Sequence, residues 1–96
     1  MSSVTLPSVE LLEARHSFPG PYTFKIIGSA DENFVARVVS HVRDELGQET
    51  DPPYSLRSTK NGNHVAITIE PQCESPQQVL AVYSRIMEMD GLVMLL

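Results

Sequence analysis

Ser58-Thr59-Lys60-Asn61-Gly62-Asn63 runs into His64-Val65-Ala66-Ile67-Thr68-Ile69-Glu70, and together these adjoining segments predict a β-hairpin and its second strand. The Asn-Gly dipeptide tolerates the positive φ angles that tight hairpin turns require. The residues after it alternate strictly between apolar and polar, as in a half-buried strand whose valine and isoleucine side chains share one face. The hairpin therefore predicts the middle of a small antiparallel sheet.

Three further strands are predicted around this hairpin. Tyr54–Ser58 forms its first arm, after the break at Pro52-Pro53. Residues 22–27 are rich in aromatic and β-branched side chains and end at Gly28, which makes them the first strand of the domain. Residues 92–96 follow an Asp-Gly turn and are apolar on both faces, so they form the last strand.

Two helices are predicted between the strands. Asp31 caps the first, and Gly47 ends it. Ser75-Pro76 starts the second with a capping residue followed by proline, which is preorganised for the first helical position. Their apolar faces contain Phe34, Val35, Val38, Val39, Val42 and Leu46 in the first helix and Val79, Leu80, Val82, Tyr83, Ile86 and Met87 in the second.

The order of these elements predicts an α+β fold, the ferredoxin-like βαββαβ sandwich. In this arrangement two helices cover one face of a four-stranded antiparallel sheet, with the first and third strands in the centre. We expect a single domain over residues 18–96. Residues 1–17 are expected to form an N-terminal tail, in which residues 9–16 make one or two helical turns.

The charge of the chain argues against a nucleic-acid partner. Seven Lys and Arg stand against twelve Asp and Glu, for a formal net charge of −5 over 96 residues. A protein that binds phosphate backbones normally presents a basic surface instead. The 42% hydrophobic and 20% charged composition predicts an ordinary globular domain, too short for two cores.

The single cysteine and the absence of targeting signals predict a cytoplasmic protein with no membrane partner. Cys73 cannot form an internal disulfide, which fits a reducing compartment. No signal peptide is visible, and no apolar run approaches the ~20 residues of a membrane span. Cys73 itself is interpreted as a plain loop thiol rather than a nucleophile, because the charge of Glu74 would raise its pKa.

Several motifs together resemble the YbeD-like family of small bacterial proteins. They are Phe18-Pro19 with Pro21-Tyr22-Thr23-Phe24-Lys25 and Gly28, then Ser58 with Lys60, Val65 with Ile67-Thr68-Ile69, and Val93-Met94-Leu95. The family is similar in fold to the ACT domains that bind amino acids beside metabolic enzymes. The resemblance therefore implies a βαββαβ sandwich and a regulatory role, without an established activity or catalytic residues. The Gly28 loop lacks the Pro-Gly turn with which ACT domains grip their ligand.

No catalytic, metal or cofactor site is predicted. The three histidines lie far apart, and no Cys-x-x-Cys or His-x-x-x-His pair is present. His41 with Asp44 or Glu45 could hold a divalent ion weakly, but a boundary histidine is the favoured interpretation. The Lys60-Asn61-Gly62-Asn63 turn could present backbone donors to an anion, although a plain hairpin turn is favoured there too.

The uncovered face of the sheet is the best candidate for a ligand or partner surface. Lys25 and Arg57 are two basic side chains expected at neighbouring positions on a face of otherwise small residues in an acidic protein. The full candidate set is Lys25, Gly28, Arg57, Lys60, His64 and Thr68. This face contains no aromatic side chain from the first or third strand, which disfavours the base stacking of RNA-binding relatives.

The last strand is a second candidate surface, for self-association. An edge strand that is apolar on both faces readily pairs with another chain. Either the N-terminal segment covers it or a second copy does, as a homodimer. The residues concerned are Leu92, Val93, Met94 and Leu95.

The leading hypothesis is a non-enzymatic regulatory or adaptor module that binds a small metabolite or a protein partner. An acylphosphatase of the same fold class is the enzymatic alternative. It would use Asn33, but residues 28–32 lack the arginine that its anion-binding loop needs. A third reading is a purely structural protein-interaction subunit.

Overall fold

Three helices and two antiparallel sheets make up residues 6–96, the part of the chain that the computed structural model describes. In chain order the elements are α1 (Val9–Arg15), β1 (Gly20–Pro21), β2 (Phe24–Ser29), α2 (Glu32–Glu45), β3 (Tyr54–Ser58), β4 (His64–Ile69), β5 (Gln72–Cys73), α3 (Pro76–Met87) and β6 (Leu92–Leu95). None of these described helices is long and apolar enough to cross a lipid bilayer.

The main sheet has four strands in the order β3-β4-β2-β6, and every neighbouring pair is antiparallel. The first and third of the predicted strands, β2 and β4, lie in the centre as expected. The α+β class is confirmed, and the strand order is compatible with a ferredoxin-like fold.

One apolar core joins the main sheet to the helices. Alternate residues of β2 and β4 point into it, which is why Phe24, Ile26, Ile67 and Ile69 are almost fully buried. The helices α2 and α3 contribute buried side chains to the same cluster. Its helical members are Phe34, Val38, Val39, Val42, Val79, Val82, Tyr83 and Ile86.

The ends of the helices follow the predicted capping residues. The Asp31 side chain accepts a hydrogen bond from the Phe34 amide, and the Ser75 side chain accepts one from the Gln78 amide. Each bond satisfies one of the amides that a helix N-terminus leaves without an intrahelical partner. Gly47, just beyond α2, has φ of +63°, the conformation expected of a glycine that ends a helix.

The hairpin between β3 and β4 turns differently from a tight Asn-Gly turn. Gly62 has φ of +72°, whereas Asn61 does not have a positive φ. The Gly62 amide donates to the Thr59 carbonyl at 2.9 Å, and the Thr59 amide donates to the His64 carbonyl at 3.0 Å. The turn is therefore a five-residue loop closed by Thr59, in which only the glycine needs the left-handed conformation.

A second, two-stranded sheet was not predicted. β1 pairs with β5, so that Gly20 lies opposite Cys73 and Pro21 opposite Gln72. This pairing corrects the interpretation of Cys73 as a loop thiol, because its side chain is fully buried in the core. Two-residue strands carry too little periodicity to be recognised from sequence.

Candidate functional site

The predicted basic residues Lys25 and Arg57 both lie on the face of the main sheet that points away from the core. Strand register places Lys25, Thr68 and Ser55 in one row across β2, β4 and β3. A second row contains Ile27, Ala66 and Arg57. We call this surface the open face. The strand β6 adds Met94, which pairs with Ile27. Leu96 follows β6 and lies beside Lys25. The members of the open face are Lys25, Ile27, Ser55, Arg57, Ala66, Thr68, Met94 and Leu96.

A depression of about 330 Å³ lies on the open face. Lys25 and Arg57 stand on its two sides, while Ala66 and Thr68 of the intervening strand lie between them. The two basic residues therefore do not lie at neighbouring positions, which corrects the expectation from the sequence. They belong to strands on either side of β4, a lateral separation of about 10 Å from the usual strand spacing. Such spacing suits an extended partner better than one small anion.

Among the side chains that the structure describes, Lys25 and Arg57 have no carboxylate partner. The described ion pairs use Arg43, with Asp44 and Asp51, and Arg85, with Glu45. The strand alternation also places Glu70 toward this side at the end of β4, where its carboxylate accepts a hydrogen bond from the Thr23 hydroxyl at 2.9 Å. The centre of the open face is therefore locally cationic in a protein of net charge −5.

Gly28 lies on the opposite side of the sheet from Lys25 and Arg57. A Cβ atom added there would come within 2.2 Å of the Phe34 ring and 2.8 Å of the Gly91 carbonyl oxygen. The Phe34 side chain thus occupies the space directly beside Gly28. Gly28 belongs to the core and does not contribute to the open face.

Lys60 and His64 lie at the hairpin end of the sheet. Lys60 is exposed in the turn, and His64 is half-buried at the start of β4, opposite Ser29. Neither lines the depression. The structure therefore brings together Lys25, Arg57 and Thr68 of the six candidates. Ser55 and Ile27 could have been added from strand alternation alone, whereas no sequence signal places Leu96 beside Lys25.

The edge strand β6 exposes two of its four predicted association residues. Val93 and Met94 are 56% and 49% exposed, while Leu92 and Leu95 are partly buried against the core. The N-terminal helix α1 packs against α3. Its Leu12 side chain is buried in the core.

His41 serves the contact between α2 and α3 rather than a metal site. Its Nδ1 accepts a hydrogen bond from Arg85 Nε at 2.9 Å. Burial, and then the nearby Arg85 charge, lower the pKa of His41 below its ordinary value. No group of three His, Cys, Asp or Glu side chains among those described lies close enough to hold a metal ion.

The other candidates for chemistry are engaged elsewhere. Burial, and then the Glu74 charge, raise the pKa of the Cys73 thiol to about 11, so the reactive thiolate is scarce. Arg37 lies over the Phe34 ring at 5.8 Å and donates from Nε to the Asn33 carbonyl oxygen. Arg37 and Asn33 do line a second surface depression on α2, but this arginine lies on the helix and is not in the loop before it.

A sequence model of the protein family of unknown function DUF493 matches residues 13–96. The chain belongs to this family. It is 28% identical over 82 residues to a UPF0250 protein of Shewanella piezotolerans, covering 85% of this chain and 86% of that one. A UPF0250 protein of Shewanella halifaxensis is 30% identical over the same shares. These relationships confirm the resemblance to the YbeD-like family of small bacterial proteins.

A solved structure of similar fold is that of protein HP0495 from H. pylori, determined in solution. It superimposes with a TM-score of 0.61 over 98% of both chains, at 13% sequence identity. At this identity the similarity concerns the fold alone. It supports the α+β architecture that the strand pairing defines.

Proposed function

We propose that this chain is a non-enzymatic adaptor module, and that its open face binds an acidic segment of a partner protein. The proposal rests on the two cations Lys25 and Arg57, which flank an accessible depression without a carboxylate partner among the described residues. Unpaired cations beside an accessible depression favour an acidic partner through steering and charge complementarity.

The fold supports this function. We infer a ferredoxin-like sandwich in which both α2 and α3 lie on one side of the main sheet. Their buried side chains share one core with the inward residues of β2 and β4. The other side of the sheet then remains available as a binding platform, with a regulatory role depending on which partner occupies it.

A protein partner is favoured over a small metabolite. The Phe34 ring occupies the space beside Gly28, next to the loop where an ACT domain holds its amino acid. The remaining depression lies on a sheet face, and its two charges stand on separate strands. A polypeptide can contact both cations at once, whereas a single amino acid offers one carboxylate to strands about 10 Å apart. The acylphosphatase alternative is not favoured, because the loop before α2 lacks an arginine.

Site-specific photo-crosslinking in bacterial cells tests the proposal. A photoreactive p-benzoylphenylalanine replaces Ser55 on the open face or, as the positional control, the exposed Ser84 on α3. We expect a discrete protein adduct from position 55 and none from position 84. The double variant Lys25→Glu, Arg57→Glu should lower the yield about tenfold or more, since two attractive pairs become repulsive.

The matched control carries the same change in charge elsewhere. Arg15→Glu with Arg37→Glu also alters two exposed arginines, on α1 and α2. The adduct from position 55 should persist in this control. Equal adduct yields from both double variants would reject the open face as the binding surface.

A further inference from the structure

The outer edge of β3 leaves apolar side chains uncovered on the helix side of the sheet. Tyr54 and Leu56 pair with Ile69 and Ile67, so all four point toward the helices. The two isoleucines are at most 1% exposed, whereas Tyr54 is 47% and Leu56 51% exposed. The apolar layer of the sheet therefore extends one strand beyond what the helices cover.

The backbone of β3 also has unused hydrogen-bonding groups along this edge. The Pro53 carbonyl accepts from the Glu70 amide, and the Thr59 amide donates to the His64 carbonyl, both at 3.0 Å. Alternate residues of an antiparallel strand bond to the same neighbour, so residues 53, 55, 57 and 59 face β4. The amides and carbonyls of Tyr54, Leu56 and Ser58 consequently point outward, where the sheet order ends.

The opposite edge of the sheet is less suited to accept another strand. The register between β2 and β6 shifts between Ile27 and Gly28, whereas β3 pairs with β4 without interruption. A bulge increases the local twist and bends an edge away from a regular partner. β3 itself contains no proline and no bulge, two of the devices that normally block strand addition.

The charge beside this edge indicates the chemistry of the occupant. Arg57 projects on the open face of β3, and Lys25 lies on the same face two strands away. A second copy would bring another Arg57 and a further net charge of −5 to a chain that already carries −5. A segment with carboxylates on one face and apolar side chains on the other complements both sides of β3.

We propose that the β3 edge binds an extended segment of a partner protein as a fifth strand of the main sheet, and that apolar and acidic side chains alternate along this segment. Its apolar side chains pack beside Tyr54 and Leu56, and an acidic side chain lies beside Arg57. Its backbone pairs with the outward groups of Tyr54, Leu56 and Ser58, as in other strand-addition complexes. This docking mode rests on the proposed function, because it specifies how the acidic partner of the open face is held.

A titration with a defined peptide tests the docking mode. The probe is a capped synthetic peptide of alternating valine and glutamate, and the control peptide has the same composition with all valines first. Binding is followed by ¹H–¹⁵N NMR spectra of the labelled protein. With the alternating peptide we expect the Tyr54, Leu56 and Ser58 amides to shift and to exchange more slowly with solvent. The block peptide should bind at least tenfold more weakly.

Three variants separate side-chain from backbone contributions. Leu56→Glu should weaken peptide binding at least tenfold, whereas Val93→Glu places an equal charge on the similarly exposed β6 edge, outside the open face, and should leave binding unchanged. Ser58→Pro removes an outward amide without removing a bond to β4, and should also weaken binding at least tenfold. The native dispersion of each NMR spectrum verifies that the variant is folded.

Three results would overturn the inference. The first is slower solvent exchange of the β3 amides at higher protein concentration in the absence of peptide. The occupant of the edge would then be a second copy of the chain. The second is a peptide response confined to the Lys25 and Thr68 amides, or absent altogether. The third is a crosslink from position 55 that is unchanged in cells carrying the Ser58→Pro variant, although Lys25→Glu abolishes the same crosslink. That result would retain the open face as the binding surface and reject the strand edge. If the crosslink from position 55 instead persisted after both Lys25 and Arg57 were replaced by glutamate, the proposed function itself would be rejected.

Discussion

Arg85 on α3 donates its Nε hydrogen to Nδ1 of His41 on α2, with 2.9 Å between the two nitrogen atoms. The same guanidinium contacts the Glu45 carboxylate at 3.4 Å, so one arginine connects two residues of the neighbouring helix. Since only the neutral imidazole offers a lone pair to an N–H donor, this hydrogen bond requires unprotonated His41. The contact between the two helices therefore depends on a titratable group.

We expect His41 to make the protein less stable in mild acid. Burial and the Arg85 charge lower its pKa in the folded state below the ordinary value of 6.5. The unfolded chain therefore binds a proton at higher pH than the folded protein does, and stability present above pH 6.5 is lost as the pH falls. Urea unfolding at pH 7, 6 and 5 should show a smaller loss in His41→Gln than in the wild type.

The matched control for this measurement is His64→Gln, which leaves the Arg85 contact intact. This variant should lose stability with falling pH as the wild type does. Identical pH slopes for His41→Gln and the wild type would contradict the prediction.

Gly28→Ala should destabilise the fold by about 1–3 kcal/mol, the usual cost of overpacking a core. The added Cβ would lie 2.2 Å from the fully buried Phe34 ring, and 2.8 Å from a backbone oxygen of Gly91. The free energy of unfolding in urea measures the effect. In a double-mutant cycle with Phe34→Leu, the smaller side chain should relieve part of the clash, so that the two losses are less than additive. Strict additivity would show that the Phe34 ring is not the obstacle.

The hydroxyl groups of Tyr22 and Tyr83 form a buried hydrogen bond of 3.0 Å. Tyr83→Phe should destabilise the protein by about 1–2 kcal/mol, because it leaves the Tyr22 hydroxyl buried without this partner. Adding Tyr22→Phe removes that orphaned group and should recover part of the loss. Urea unfolding of both single variants and the double variant tests this; a double variant with the summed loss would contradict it.

The Cys73 thiol should react slowly in the native protein. With its pKa raised to about 11, chiefly by burial, only about one thiol in a thousand is ionised at pH 8. Iodoacetamide labelling followed by mass spectrometry should be slow in buffer and fast in denaturing urea. Glu74→Gln removes the lesser cause of the raised pKa and should accelerate native labelling modestly. Equal rates with and without urea would mean that the thiol is accessible in the folded state.

The exposed apolar side chains of β6 should drive self-association at high concentration through side-chain packing, although the register shift makes this edge less suited to strand pairing. Val93 and Met94 are each about half exposed on a sheet edge, where association removes apolar surface from water. Sedimentation velocity should give a coefficient that rises with concentration, and Val93→Lys should abolish the rise. Leu56→Lys, on the other edge, is the control and should leave it unchanged. Only monomer at the highest concentration would exclude the homodimer.

Strand and helix positions were largely predictable because their signals are local. The alternation from His64 to Ile69 fixes which side chains of β4 face the core, and the pairing of β4 with β2 and β3 agrees with it. Ser75-Pro76 likewise starts α3 at the predicted residue. A capping side chain and a proline act within a few residues of themselves, so their effects do not depend on distant parts of the chain.

The candidate surface was predictable only in part. Alternation placed Lys25 and Arg57 on the open face, but their separation depends on which strand lies between them. Gly28 was assigned to a ligand loop, although the side of the sheet that it faces and the approach of Phe34 make it a core residue. The same local sequence could line a pocket or pack against a ring, according to where the helix is placed.

The sequence by itself determined the apolar and polar faces of the strands, the starts of α2 and α3, and the order of the main-sheet strands and these two helices. Tertiary structure alone decided that β1 and β5 pair and bury Cys73, that Arg85 meets His41, and that the helices stop short of Tyr54 and Leu56. The physical reason is the range of the interactions involved. Periodicity and capping act over a few residues, whereas pairing between distant segments depends on how the whole chain packs around its core.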